Sequence, residues 1–149
     1  WKNRLQALGI SNQTDQEAFV HKIESSRGIY PAMRTLIHRL HQGYRLGIVS
    51  NTYLPDLDTY LAYECNFPGV FDPVISSARE GIAKPEPAIF ERALQRGQCQ
   101  PHETLFVDDL ERNTLAASAI GMRAIVFTST DALQKQLEAW GLFARDNFA

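Results

Sequence analysis

From about residue 31 to residue 140 the chain alternates short apolar runs with segments of helical period. Strands separated by helices in this way must lie parallel, with the helices covering the sheet, so the expected fold class is α/β with a parallel sheet. Strands are predicted over residues 45–50, 73–76, 104–108 and 123–127, each after a turn signal. The helix predicted over 32–42 carries Met33, Leu36, Ile37 and Leu40 at helical spacing and stops at Gly43. Gly97 and Gly121 are expected to close two later helices, the first over 88–96. Pro55, Pro87 and Pro101 are read as loop or first-turn positions.

Composition narrows the functional classes. The chain has 149 residues, 44% of them hydrophobic, and a chain near that length buries roughly 68–70% of its unfolded surface, which excludes disorder. Its longest apolar runs, such as 46–49 and 105–107, fall far short of the ~18 residues of a membrane span. No charged-then-apolar leader opens it. Cys65 and Cys99 are too few for a disulfide framework or a cysteine-rich metal site and are read as reduced thiols of a cytoplasmic protein. With 15 Lys+Arg against 17 Asp+Glu and no basic cluster, nothing marks a nucleic-acid footprint. Residues 1–27 are polar and helical in pattern, with Phe19, Val20 and Ile23 as their apolar stripe. They are read as the end of a separate helical element, and the initial Trp1 as a start inside a longer protein.

In an open parallel sheet the ligand site lies outside the carboxyl ends of the strands, and three polar clusters fall there. The first predicted strand ends in Ser50-Asn51-Thr52; hydroxyl, amide and free backbone N–H groups can hold a phosphate, or the same residues can cap a helix. The strand 104–107 runs into Asp108-Asp109, with Asn113 a helical turn beyond. Adjacent carboxylates repel by on the order of a kcal/mol, and a bound Mg²⁺, held by one or two carboxylates with water and phosphate, removes that repulsion. The alternative has Asp109 capping the next helix while Asp108 faces solvent. The third cluster is Gly81-Ile82-Ala83-Lys84-Pro85-Glu86-Pro87, where flanking prolines present Lys84 from a stiff loop. That lysine either neutralises phosphate oxygens or is merely solvated. The clusters follow successive strands, Lys84 standing 34 residues after Ser50 and 24 before Asp108, and can meet around one phosphate and one metal.

These residues carry a resemblance. From roughly 28 to 142 the chain resembles the haloacid dehalogenase superfamily of hydrolases, in particular the subgroup with a small helical cap that includes sugar-phosphate and phosphoglycolate-type phosphatases and the phosphatase-like domain of soluble epoxide hydrolases. Gly47-Ile48-Val49-Ser50-Asn51-Thr52 is similar to the second family motif, whose hydroxyl residue binds the phosphoryl group. Gly81-Ile82-Ala83-Lys84-Pro85-Glu86-Pro87-Ala88-Ile89-Phe90 is similar to the third, whose lysine balances the charge of nucleophile and phosphate. Leu105-Phe106-Val107-Asp108-Asp109-Leu110-Glu111-Arg112-Asn113 is similar to the fourth, whose acidic residues hold Mg²⁺. The resemblance implies a three-layer, Rossmann-like core over 28–149, a remnant of the helical cap over 1–27, catalytic roles for Ser50, Asn51 and Lys84, phosphate binding by Ser50, Asn51, Thr52 and Lys84, metal binding by Asp108 and Asp109, and a supporting role for Asn113.

One family feature is missing. Members begin with an apolar strand ending in Asp-x-Asp, the source of the nucleophile and the general acid/base. The only Asp-x-Asp here, Asp56-Leu57-Asp58, follows the second motif at the start of a helix and is rejected as nucleophile. The absent strand is central in the family, between the strands ending at Ser50 and Asp108. Without it those two must pair directly or another segment must fill the slot, and marginal stability is expected of the isolated chain. The function expected is that of a Mg²⁺-dependent phosphatase acting on a small phosphorylated metabolite in the intact parent, the chain alone being inactive. Alternatives are a non-catalytic binding module derived from the family and a haloacid dehalogenase proper. A phosphoacceptor receiver domain is excluded by motif order. His38 and His41, three apart on a helix, supply two metal ligands without a third, and Phe67, Phe71, Phe106 and Phe127 are read as core.

Overall fold

The structure, a computed structural model, describes residues 31–54 and 56–142. The chain divides into two compact units, Trp1–Pro31 and Ala32–Ala149. The cap remnant expected over 1–27 and the loop position of Pro55 lie outside the described residues. In order the elements are α1 (Pro31–His41), β1 (Leu46–Ser50), α2 (Leu57–Thr59) running on as a π-helical turn (Tyr60–Glu64), β2 (Phe71–Ser76), α3 (Ser77–Glu80), α4 (Pro87–Gly97), a 3₁₀ turn (Pro101–Glu103), β3 (Leu105–Asp108), α5 (Glu111–Ala119), β4 (Arg123–Val126) and α6 (Thr130–Ala139). No helix among the described residues is long and apolar enough to cross a membrane.

All observed strand pairing is parallel, as the alternation requires. Among the described residues, however, the strands form two two-stranded sheets, β1–β2 and β3–β4, where one sheet was expected. Period-two patterning reports which face a residue takes and not which strand lies beside it, so the split left no mark in the pattern. β3 and β4 run in register, with Leu105 beside Arg123 and Asp108 beside Val126. β1 and β2 slip between Leu46 and Ile48. Gly47 sits at the slip, where a Cβ would lie 3.1 Å from the Pro73 carbonyl oxygen and 3.2 Å from its ring. Pro73 has no N–H to give the ladder, so the irregularity falls where a donor is missing anyway.

Both sheets lean on one helical layer. Ile75 of β2 and Phe106 of β3 share a core with Ile89, Phe90 and Leu94 of α4 and Ala117 of α5, and Phe90 meets Phe106 edge to face at 5.0 Å. Alternation along β3 and β4 sends Leu105 and Ile125 to the opposite face, where they pack with Leu36 of α1 and Leu133 and Leu137 of α6. Helices therefore cover both faces of β3–β4, giving the three-layer arrangement implied by the resemblance.

Pro87 opens α4 and Pro101 opens the 3₁₀ turn, as expected. Gly121 follows α5 with φ of 91°. The expectation for Gly97 is corrected: it is the last residue of α4, and Gln98 takes the left-handed conformation at φ of 50°. Gly97 answers a crowding requirement instead, since a Cβ there would lie 3.3 Å from Cys99 Sγ and 3.5 Å from the Pro73 ring. Phe67 and Phe106 are buried. His38 packs on the Phe67 ring at 5.3 Å. Cys65 and Cys99 are free thiols.

Candidate functional site

β1 ends at Ser50, and the chain turns to bring Asn51 against the loop before α4. The Asn51 side chain clamps the main chain of Lys84 from both sides. Its Nδ2 donates to the Lys84 carbonyl at 2.8 Å, and its Oδ1 accepts from the Lys84 N–H at 2.8 Å. The loop is also closed on itself: Glu86 N–H donates to the Ala83 carbonyl at 2.9 Å, and Glu86 Oε1 accepts from Ala83 N–H at 3.4 Å. The Lys84 backbone is thus held by side chains and turn bonds, leaving its side chain free to reach across.

It reaches Asp108 at the end of β3. Lys84 Nζ lies 2.7 Å from Asp108 Oδ2, the two side chains being 12% and 6% exposed, and 5.6 Å from the centre of the Phe106 ring. The solvated alternative for Lys84 is therefore set aside. The second Asp108 oxygen, Oδ1, accepts from Leu110 N–H at 2.9 Å and from Asn113 Nδ2 at 2.8 Å. Burial pushes the Asp108 carboxyl up, but the hydrogen bond from Lys84, those from Leu110 and Asn113, and the nearby ammonium charge together hold it below its ordinary value. The alternative that left Asp108 in solvent with Asp109 as cap is reversed: Asp108 is buried, Asp109 is exposed, and Leu110, which contributes no side-chain cap, stands at the head of α5.

Asn51, Lys84, Asp108 and Asn113 form one chain of hydrogen bonds. Ser50, Thr52 and Asp109 are near it in sequence, but among the described residues their side chains make no hydrogen bond or ion pair to it. Thr52 is tied elsewhere: its N–H donates to Ser77 Oγ at 3.0 Å, Ser77 Oγ donates to its carbonyl at 3.1 Å, and its own hydroxyl accepts from Leu54 N–H at 3.1 Å. The capping alternative for Ser50-Asn51-Thr52 does not apply, because Asp56 caps α2 through the Thr59 N–H at 3.3 Å. The same cap places Asp56-Leu57-Asp58 at a helix start, and both carboxylates face Arg79, at 4.0 and 2.6 Å. Sequence reasoning missed Ser77 and Phe106 as supports; the alternation that aligns Phe106 with Asp108 on one face of β3 was the signal for the second.

Among the described residues no group of three or more His, Cys, Asp or Glu gathers as a metal cage. The oxygens present still suit a hard cation. Asn113 Oδ1 is buried and has no hydrogen-bond partner, the Asp108 carboxylate already faces a positive charge, and Asp109 forms no ion pair among the described residues. Such a set matches Mg²⁺, which takes one or two carboxylates and fills its remaining positions with water and phosphate. A surface recess of about 310 Å³ lined by Leu61, Phe67, Phe71 and Val74 and another of about 450 Å³ beside Glu80 and Arg92 include neither Lys84 nor Asp108 in their walls.

A family model described as haloacid dehalogenase-like hydrolase matches residues 1–121. The chain is 33% identical over 112 residues to acyl-CoA dehydrogenase family member 10 of Mus musculus, covering 74% of this chain and 10% of that protein. It is 35% identical over 112 residues to glyceraldehyde 3-phosphate phosphatase of Methanothermobacter thermautotrophicus, covering 72% and 49%. It thus spans a tenth of the first relative and about half of the second. Among solved structures, a family enzyme from Bacteroides thetaiotaomicron in complex with magnesium and inorganic phosphate aligns with a TM-score of 0.58 at 27% identity, over 68% of this chain and 54% of that one.

Proposed function

Because the chain belongs to the haloacid dehalogenase-like hydrolases, we propose that it forms the phosphate- and cation-holding part of a Mg²⁺-dependent phosphatase acting on a small phosphorylated metabolite. The observation that carries this reading is the buried Lys84–Asp108 pair at the strand ends, a fixed positive charge beside a fixed negative one where a phosphate and a cation would meet. The phosphatase relatives support it, and so does the relative solved with magnesium and phosphate.

In this reading Lys84 neutralises the non-bridging phosphate oxygens, with the Ser50 hydroxyl and the N–H of residue 51 as further donors, while the Thr52 N–H stays on Ser77. Asn51 keeps the lysine in place, its amide being engaged with the Lys84 main chain at both ends. Asp108 and Asp109 would hold Mg²⁺, and Asn113 would keep Asp108 oriented. Bound there, the metal supplies positive charge to the phosphate. In this reading the nucleophilic carboxylate would come from an Asp-x-Asp strand outside this chain that pairs with β1 and β3, strands that are not hydrogen-bonded to each other among the described residues. The missing Asp-x-Asp also favours a second reading, a binding module without catalysis.

Hydrolysis of p-nitrophenyl phosphate separates the two. This chain alone should be inactive. The protein extended upstream to include an Asp-x-Asp strand should turn over with Mg²⁺ and lose about 10²-fold or more with Lys84→Met, the scale of removing one preorganised charge-stabilising donor. A folded, extended protein that binds phosphate without hydrolysing it would decide for the binding module.

A further inference from the structure

We propose that Lys84 is the resident counter-ion of Asp108, and that this makes loading of an anion and of a divalent cation mutually dependent. The inference rests on the phosphatase reading above. Both oxygens of Asp108 are engaged: Oδ2 by Lys84 at 2.7 Å, Oδ1 by Leu110 N–H and Asn113 at 2.9 and 2.8 Å. A cation that binds Asp108 must therefore share Oδ2 with an ammonium or displace it. The lysine cannot retreat by moving its loop, because Asn51 holds its N–H and its carbonyl. Only the side chain can swing.

A cation arriving alone breaks a buried ion pair and strands a positive charge beside itself, which opposes binding. An anion arriving beside Lys84 gives the ammonium a second partner and frees Oδ2. The same exchange run from the other side has a cation on Asp108 releasing Lys84 to the anion. Linkage requires the two effects to be equal: whatever factor phosphate adds to cation affinity, the cation adds to phosphate affinity. Asp109, exposed and without an ion pair among the described residues, is the carboxylate on which a cation lands before Asp108 is released.

The test is a double titration of this chain at constant ionic strength, with free Mg²⁺ corrected for magnesium phosphate formed in solution. The readouts are the amide signal of Leu110 and the side-chain amide of Asn113. Saturating inorganic phosphate should tighten Mg²⁺ binding by about 5- to 150-fold, the usual range of site-to-site coupling, and Mg²⁺ should tighten phosphate binding by the same factor. Lys84→Met should bind Mg²⁺ more tightly than the wild type when phosphate is absent, and its coupling should vanish; Lys84→Arg should keep it. Coupling that persists in Lys84→Met would come from direct contact of the two ions and would overturn the inference. So would equal Mg²⁺ affinity with and without phosphate in the wild type, a result that needs no variant to fold. If neither ion binds the wild type, the phosphatase reading falls together with the inference; if both bind independently, only the inference falls.

Discussion

Asp108 is a buried carboxyl whose partners outweigh its burial, so it ionises more readily in the folded chain than in the unfolded one. A group lowered in this way stabilises the fold above its unfolded value of about 3.9 and loses that contribution as pH falls through the folded value. Replacing Asp108 with Asn should cost about 3 kcal/mol near neutrality, because Lys84 is left without its partner, and the difference from wild type should shrink below about pH 4. Urea unfolding at a series of pH values reads both; a gap that stays constant into strong acid would mean that the ion pair is not its source. Asn51→Ala leaves the Lys84 N–H and carbonyl without their side-chain partner, a loss of about 1–2 kcal/mol over two hydrogen bonds that should appear as faster exchange of the Lys84 amide proton. Asn51→Asp can still accept from that N–H but cannot donate to the carbonyl, and should exchange at an intermediate rate. Lys84 and Asp108 were legible as residues because their motif order and strand-end placement are properties of the linear chain. The use of Asn51 was not: its amide meets a main chain 33 residues away, and no spacing rule reports a side chain bonded to remote backbone.

The elements were largely legible. Helical spacing placed α1 and α4 to within a residue at each end, and three of the four strands likewise; β2 begins two residues before its expected start at Pro73, because Phe71 already pairs with Leu46. Glycine roles were less accessible, since a glycine can serve either a left-handed turn or a close approach. Gly43 serves neither, its φ lying outside the left-handed region, whereas Gly47, four residues on, serves the second. A Cβ at Gly43 meets nothing within 4 Å, whereas one at Gly47 meets Pro73 at 3.1 Å. Gly43→Ala should leave stability within about 0.5 kcal/mol of wild type. Gly47→Ala should lower it by about 1–3 kcal/mol by forcing β1 from β2, and thermal melts of the two variants side by side make the comparison.

Within Ala32–Ala149, two half-sheets share one core and are not hydrogen-bonded to each other among the described residues. The isolated chain should accordingly sit at or below the low end of ordinary domain stability, about 5 kcal/mol, and melt at a modest temperature. In the phosphatase reading, a protein that adds an Asp-x-Asp strand to this chain should melt higher. Calorimetry of both would check this, and a sharp transition of the short chain well above room temperature would count against it. Local period does not encode pairing partners, so the split was legible only through the missing Asp-x-Asp strand, whose place lies between the strands ending at Ser50 and Asp108. Its consequence concerns quality control. Lys84 is clamped to the end of β1 by Asn51 and Asp108 ends β3, so their bond joins the two half-sheets above the core they share. A molecule whose halves dock out of place does not offer a weaker version of the site, because the two charges then never meet. Counting intact sites by ion binding is therefore the same measurement as counting correctly assembled molecules.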